Sequence, residues 1–209
     1  DPVLGDNDQF YVPEELLDVY KTQLIPIAHV ITPNYFEVEV LTGMKVNTTD
    51  DARKAANLLH DMGAKIVVMT GQRLQKNSTT DNIAIQTTRI ESVDADTTAA
   101  AVSSAGHESP PPQSIILSIR LKNEISNTLH RIDVPTQPGY FFGCGDLFAA
   151  LTACGIYRAI NIAGNNLNNI ENSSNADNTT PSINRIKLHH LLGPVLELSA
   201  WAIGKVVQS

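Results

Sequence analysis

The sequence predicts an α/β fold with a mainly parallel central sheet. Two observations carry this. Helical and strand-like patterns alternate from Pro13 to Gly71, the order that builds parallel sheets through helical crossovers. The run KIVVMTG, Lys65 to Gly71, is apolar without alternation until Thr70-Gly71 ends it, as expected of a strand buried on both faces.

The elements follow in order. Residues 13–24, PEELLDVYKTQL, predict a helix: Pro13 suits a first turn, Glu14 and Glu15 suit its positive end, and Leu16, Val19, Tyr20 and Leu24 share a face. His29 to Thr32 predicts a short buried strand, broken by Pro33-Asn34. Tyr35 to Leu41 predicts a helix closed by Gly43. Thr49, Asp50 and Asp51 cap a further helix through Leu58, Leu59 and Met62 that ends at Gly63. Strands are predicted at 65–71, 83–90, 115–121 and 129–134. Residues 92–113, with Pro110-Pro111-Pro112, and residues 161–180, with eight asparagines from Asn161 to Asn178, read as flexible insertions in one domain spanning 1–209. Asp146 to Tyr157 predicts an apolar helix, and a last helix, interrupted at Gly193-Pro194, follows Pro181.

Composition narrows the function. The chain has 209 residues, a net charge of -7, 42% hydrophobic and 18% charged residues. That suits one domain with a sizeable core. Lys and Arg form no basic stripe, which argues against a nucleic-acid partner, and no apolar run is long enough for a membrane helix. Two cysteines, Cys144 and Cys154, are too few for a disulfide scaffold, and no signal-peptide pattern opens the sequence, so a cytoplasmic setting is expected. The first residue is Asp1, which suggests that the sequence starts inside a longer product.

Four segments carry chemistry. In PGYFFGCGDLFAAL, Pro138 to Leu151, Gly143 and Gly145 allow a tight turn immediately before a helix. Its amides suit an anion. Asp146 there is either a helix cap or, with a phosphoryl group bound, the acceptor of a hydroxyl proton. DPVLGD, Asp1 to Asp6, puts two carboxylates on one loop, alternatively a plain turn. In TPNYFEVEVLTG, Asn34 and Glu37 share a helix face and equally spell a capping box. MTG, Met69 to Gly71, ends a strand. Asp1, Thr32, Thr70 and the Gly-x-Gly-Asp turn thus all fall at carboxyl ends of strands, where open α/β sheets bind ligands.

DPVLGD, YVPEELLDVY, ITPNYFEVEVLTG, VVMTG and GCGDLFAAL, in this order and near these spacings, closely resemble the pyridoxal kinases of the ribokinase-like superfamily. The resemblance covers most of residues 1–160 and implies a three-layer αβα sandwich, incomplete at its N-terminal side. It implies ATP-dependent phosphorylation of the 5′-hydroxymethyl of pyridoxal, pyridoxine or pyridoxamine, as in vitamin B6 salvage, with Mg²⁺ and a monovalent cation, K⁺ or Na⁺. By this resemblance Asp146 is the catalytic base, and Gly143, Cys144 and Gly145 form the anion hole. Asp6 and Tyr11 lie near the ATP phosphates and Mg²⁺. Asn34 and Glu37 support metal and phosphate. Asp1, Thr32 and Thr70 form the monovalent-cation site, and Thr70 and Gly71 contact nucleotide. Val134 to Phe142 and the final helix would enclose adenine. The full-length protein would be a homodimer acting on a small molecule.

Cys144 departs from the Gly-Thr-Gly-Asp of this branch: the amides remain, a hydroxyl is lost, and the thiol reads as packed and not catalytic. The family also carries an earlier segment with most contacts to the pyridoxal ring. The 209 residues therefore read as the C-terminal two-thirds of a kinase, holding the nucleotide, metal and base half, with little or no activity expected of them alone. A hydroxymethylpyrimidine kinase, or an inactive nucleotide-binding fragment, is the alternative.

Overall fold

The computed structural model describes residues 1–75, 85–89, 113–120, 128–134, 142–162 and a few positions between 192 and 203. The chain opens with a small antiparallel hairpin, β1 (Gly5–Asp6) and β2 (Gln9–Phe10). Its two-residue turn, Asn7-Asp8, takes left-handed angles (φ 49° and 59°), the combination whose twist matches that of the strands.

The helix expected over 13–24 is irregular. A short α1 (Leu16–Val19) opens into a π turn at Tyr20–Leu24 and then tightens into a 3₁₀ turn at Ile25–Ile27, where Pro26 can donate no backbone hydrogen bond. The π turn adds a residue and rotates the inward face. Leu17, Tyr20 and Ile25 therefore pack inward, while Leu16 and Leu24 are exposed.

Next come β3 (Val30–Ile31), α2 (Tyr35–Thr42) and α3 (Thr49–Asp61). Gly43 closes α2 in the left-handed conformation (φ 73°). The cap of α3 is Thr48, one residue before the position expected. Its hydroxyl accepts from the Asp51 amide and the Asp51 carboxylate accepts from the Thr48 amide, a reciprocal pair. The remaining described elements are β4 (Ile66–Gln72), β5 (Ile85–Arg89), β6 (Gln113–Ile119), β7 (Thr128–Val134) and α4 (Cys144–Ile162).

The five-stranded sheet has the order β3-β4-β6-β7-β5. It is mixed rather than mainly parallel: β3–β4 and β5–β7 are parallel, whereas β6 runs opposite to β4 and β7. The link from β6 to β7 is too short for a helical crossover, so those strands form an antiparallel pair. Alternation along the strands sorts the core. Val67 and Met69 of β4, with Ile116 and Leu129, face α2 and α3. Ile66 and Val68, with Ile115, Leu117, Ile119 and Ile132, face Phe148 and Ile156 of α4 together with Leu192 and Leu196. Helices thus cover both faces, giving the expected three layers.

The insertions expected at 92–113 and 161–180, apart from Gln113 at the start of β6 and residues 161–162 at the end of α4, lie outside the described residues, as does most of the expected last helix. Among the described residues no helix is long and apolar enough to cross a membrane.

A buried polar link ties α3 to the sheet. His60 is buried; its Nδ1 lies 2.7 Å from the Ala64 carbonyl and its Nε2 lies 2.9 Å from Ser118 Oγ of β6. A carbonyl only accepts, so Nδ1 carries the proton and Nε2 accepts from the serine hydroxyl. Burial pushes the imidazole down to about 4 from 6.5, the Ala64 carbonyl opposing and nearby Arg120 assisting. The folded state therefore resists the proton that the unfolded chain takes up. Stability from this group is intact above pH 6.5 and is lost as pH falls toward 4, by about 3 kcal/mol in all. Urea midpoints measured across this window should fall less steeply in His60→Gln than in the wild-type protein.

Candidate active site

The DPVLGD loop crosses the carboxyl end of the sheet beside α2, and its main chain is held from several sides. The Leu4 amide donates to Glu37 Oε1 (2.8 Å), the Leu4 carbonyl accepts from the Tyr11 amide (2.9 Å), and the Gly5 carbonyl accepts from Asn34 Nδ2 (2.8 Å). The Leu4 side chain is fully buried. Gly5 is required by space: an added Cβ would run into the Gln9 carbonyl and lie 2.5 Å from the Phe36 ring. That ring is fixed edge-on by Phe10 at 5.1 Å between centroids.

Asn34 and Glu37 do form the capping box. Asn34 Oδ1 accepts from the Glu37 amide, and Glu37 Oε2 accepts from the Asn34 amide, both at 2.9 Å. Each side chain has a second partner on the loop, so the box also joins residues 4 and 5 to the start of α2. Glu37 is 1% exposed. Burial pushes its carboxyl above the ordinary range, and the amides of Asn34, Leu4 and Gly5 pull it back in part.

The turn after β3 meets the end of β4 where the Thr70 amide donates to the Pro33 carbonyl (2.9 Å). Gly71 takes a left-handed conformation (φ 66°), next to the Tyr35 ring. Thr32 is buried, and its Oγ1 has no hydrogen-bond partner among the described residues. Asp6, at the end of β1, receives the Asn7 amide on Oδ1 (2.8 Å), and the Tyr11 side chain is exposed.

At the far side of the site, Gly143 (φ 76°) precedes α4 and its carbonyl takes the Leu147 amide (3.0 Å). The amides of Cys144, Gly145 and Asp146 therefore stand in a first turn, where a helix offers them no partner, on the positive end of a 19-residue helix. Asp146 is exposed there, and the Cys144 side chain is half-buried. The Asp1 carboxylate lies 3.5 Å from where a Cβ on Gly145 would sit, which brings the loop and the glycine turn together.

The predicted residues thus form a connected series: Thr70 and Gly71 join Asn34 and Glu37 through the turn after β3, these hold the loop, and the loop reaches Gly145. The adenine-enclosing expectation for 135–141 lies outside the described residues. Two tyrosines went unassigned at the level of sequence. Tyr20, read only as a core residue, donates its hydroxyl to the Pro2 carbonyl (2.7 Å). Tyr35 is held above its ordinary pKa by burial and by Asp6 and Asp8, with Arg73 opposing. Both act across distances that no local pattern encodes. Among the described residues no cluster of three or more His, Cys, Asp or Glu forms a metal cage.

Residues 1–105 match the phosphomethylpyrimidine kinase family. A pyridoxal kinase from Dictyostelium discoideum is 56% identical over 70 residues, 34% of this chain and 23% of its own length. A pyridoxal kinase from Bos taurus is 33% identical over 155 residues, 72% of this chain and 41% of its own. The solved pyridoxal kinase from Leishmania donovani, in complex with ADP and pyridoxamine, superposes with a TM-score of 0.54 at 26% identity, over 75% of this chain and 42% of that one. The chain therefore spans less than half the length of these relatives and has their ribokinase-like α/β fold. With its α2 capping box, held loop and glycine turn before α4 in one series, the chain belongs to the phosphomethylpyrimidine kinase family, and the relatives it matches are pyridoxal kinases.

Proposed function

We propose that the protein carrying this chain transfers the γ-phosphoryl group of ATP to the 5′-hydroxymethyl of pyridoxal, pyridoxine or pyridoxamine. One observation carries the reading: the Asp146 carboxylate and the first-turn amides of α4 share one helix end, against which the Asp1 loop packs. The amides suit phosphoryl oxygens, and the carboxylate suits the proton that an attacking hydroxyl must lose. In the transfer, the acceptor oxygen bonds to phosphorus and the bond from phosphorus to the leaving ADP oxygen breaks. The hydroxyl proton passes to Asp146. The relatives' names, and the ADP and pyridoxamine bound to the Leishmania enzyme, support this choice of co-substrate and acceptor.

The residues present fit the ions this chemistry uses. Thr32 Oγ1 is a buried oxygen with no described partner, and the next residue, Pro33, takes the Thr70 amide; Thr32 would suit a monovalent cation together with Thr70 and Asp1. With no metal cage among the described residues, Mg²⁺ would be held mainly by nucleotide phosphates and water, with Asp6 on the hairpin as a carboxylate that could reach its shell. When bound, the ions neutralise phosphate charge. Glu37, whose oxygens take backbone amides, would orient the loop rather than ligate directly. The same reading makes the whole protein a cytoplasmic homodimer, in keeping with the two free thiols.

The test is a product assay on the protein carrying this chain, with ATP and Mg²⁺, using each B6 vitamer and, because of the family match, hydroxymethylpyrimidine as acceptors. Vitamer-dependent ADP release with formation of the 5′-phosphate is expected. A preference for hydroxymethylpyrimidine, or no acceptor-dependent release, would refute the assignment.

A further inference from the structure

We propose that Tyr20 is a positioning residue for phosphoryl transfer, an inference that rests on the function proposed above. It acts by holding Val3 in a left-handed backbone conformation and, through it, Asp1 against the glycine turn of α4.

Val3 has φ 52°, a region that a β-branched residue adopts only under constraint. Its side chain is 47% exposed, so its own packing does not supply the constraint. The flanking peptide planes do. The plane before Val3 carries the Pro2 carbonyl, which takes the Tyr20 hydroxyl at 2.7 Å; the plane after it carries the Leu4 amide, which donates to Glu37 at 2.8 Å. With both planes fixed, the two torsions of Val3 are set. Glu37 is anchored by the capping box. Tyr20 is anchored by the π turn and by packing against the core beneath the loop. Strain held by surrounding contacts is characteristic of functional loops. Asp1 is bonded directly to Pro2, so the plane that Tyr20 fixes also aims the residue whose carboxylate rests beside Gly145. Without the hydroxyl, Val3 relaxes toward negative φ and swings Asp1 away from the helix end where the chemistry is set.

The experiment compares Tyr20→Phe, Val3→Gly and the double variant in the full protein. Tyr20→Phe should lower kcat about tenfold or more, as a misplacement on the ångström scale does. KM for ATP and pyridoxal should stay within about twofold. Glycine adopts a positive φ without strain, so the hydroxyl becomes dispensable beside it. The double variant should turn over within about threefold of Val3→Gly alone, a coupling that a purely structural tyrosine would not give. An unchanged kcat in Tyr20→Phe, or an equal loss in both backgrounds, overturns the proposal. Should Tyr20→Phe fail to fold, the double variant decides: folded and active supports the proposal, folded and inactive overturns it. Should the wild-type protein phosphorylate no B6 vitamer, the functional reading fails by itself, and hydrogen exchange at the Leu4 amide then tests the clamp. Faster exchange in Tyr20→Phe, restored by Val3→Gly, supports it; unchanged exchange overturns it.

Discussion

Asp146→Asn should lower turnover about 10²–10⁴-fold, the usual loss when a positioned proton acceptor is removed. The substitution nearly preserves shape at the third residue of α4. A carboxamide cannot take the hydroxyl proton, so only the chemical step suffers. The first-turn amides that would meet the phosphates belong to the main chain and persist. ADP affinity by calorimetry should therefore stay close to that of the wild type while kcat collapses. Turnover within about threefold of wild type would remove Asp146 from the role of base and leave it as an acidic residue of the first turn alone.

Gly5→Ala should cost about 3 kcal/mol or more of stability, within the range of severe backbone and overpacking mutations. The new methyl meets the Gln9 carbonyl, which is backbone within the hairpin and cannot rotate away. It also meets the Phe36 ring, which Phe10 holds in place. Relief requires β1 to separate from β2 or from α2. Separation from α2 also takes the Gly5 carbonyl from Asn34 Nδ2, a part-buried bond whose loss adds to the steric cost. Denaturation midpoints and ADP titration should both report the change. An unaltered midpoint would show that this hairpin does not pack on α2 in solution.

How much of this was legible in the sequence follows from the range of each interaction. Short-range patterns were read well. The α2 capping box, the Gly43 stop, the apolar run of β4 and the apolar helix after the glycine turn all emerge at the expected places, because each is decided by residues within a turn of one another. The irregular run from Leu16 to Ile27 was not legible. Its apolar spacing suits an ideal helix, and only packing against the core selects the π turn that puts Tyr20 inward. The direction of β6 was likewise hidden, since an apolar strand reads the same in either direction. In the site, residue types at strand ends were visible. What ties them together was not: the Glu37–Leu4 and Asn34–Gly5 bonds span separations of 33 and 29 residues.

The loop between Pro2 and Gly5 is gripped by its carbonyls and amides and by the buried Leu4, while the Val3 side chain takes no part. This makes its tolerance of mutation lopsided. A change at exposed Val3 that accepts the same torsions leaves every one of those contacts intact, whereas a change at Tyr20, Asn34 or Glu37 strands a main-chain group each time. Within the loop the position free to vary is therefore Val3, and the side chains that grip the main chain around it lie on the helical segments behind. A mutational scan would find Val3 misleadingly permissive for a residue so close to the site.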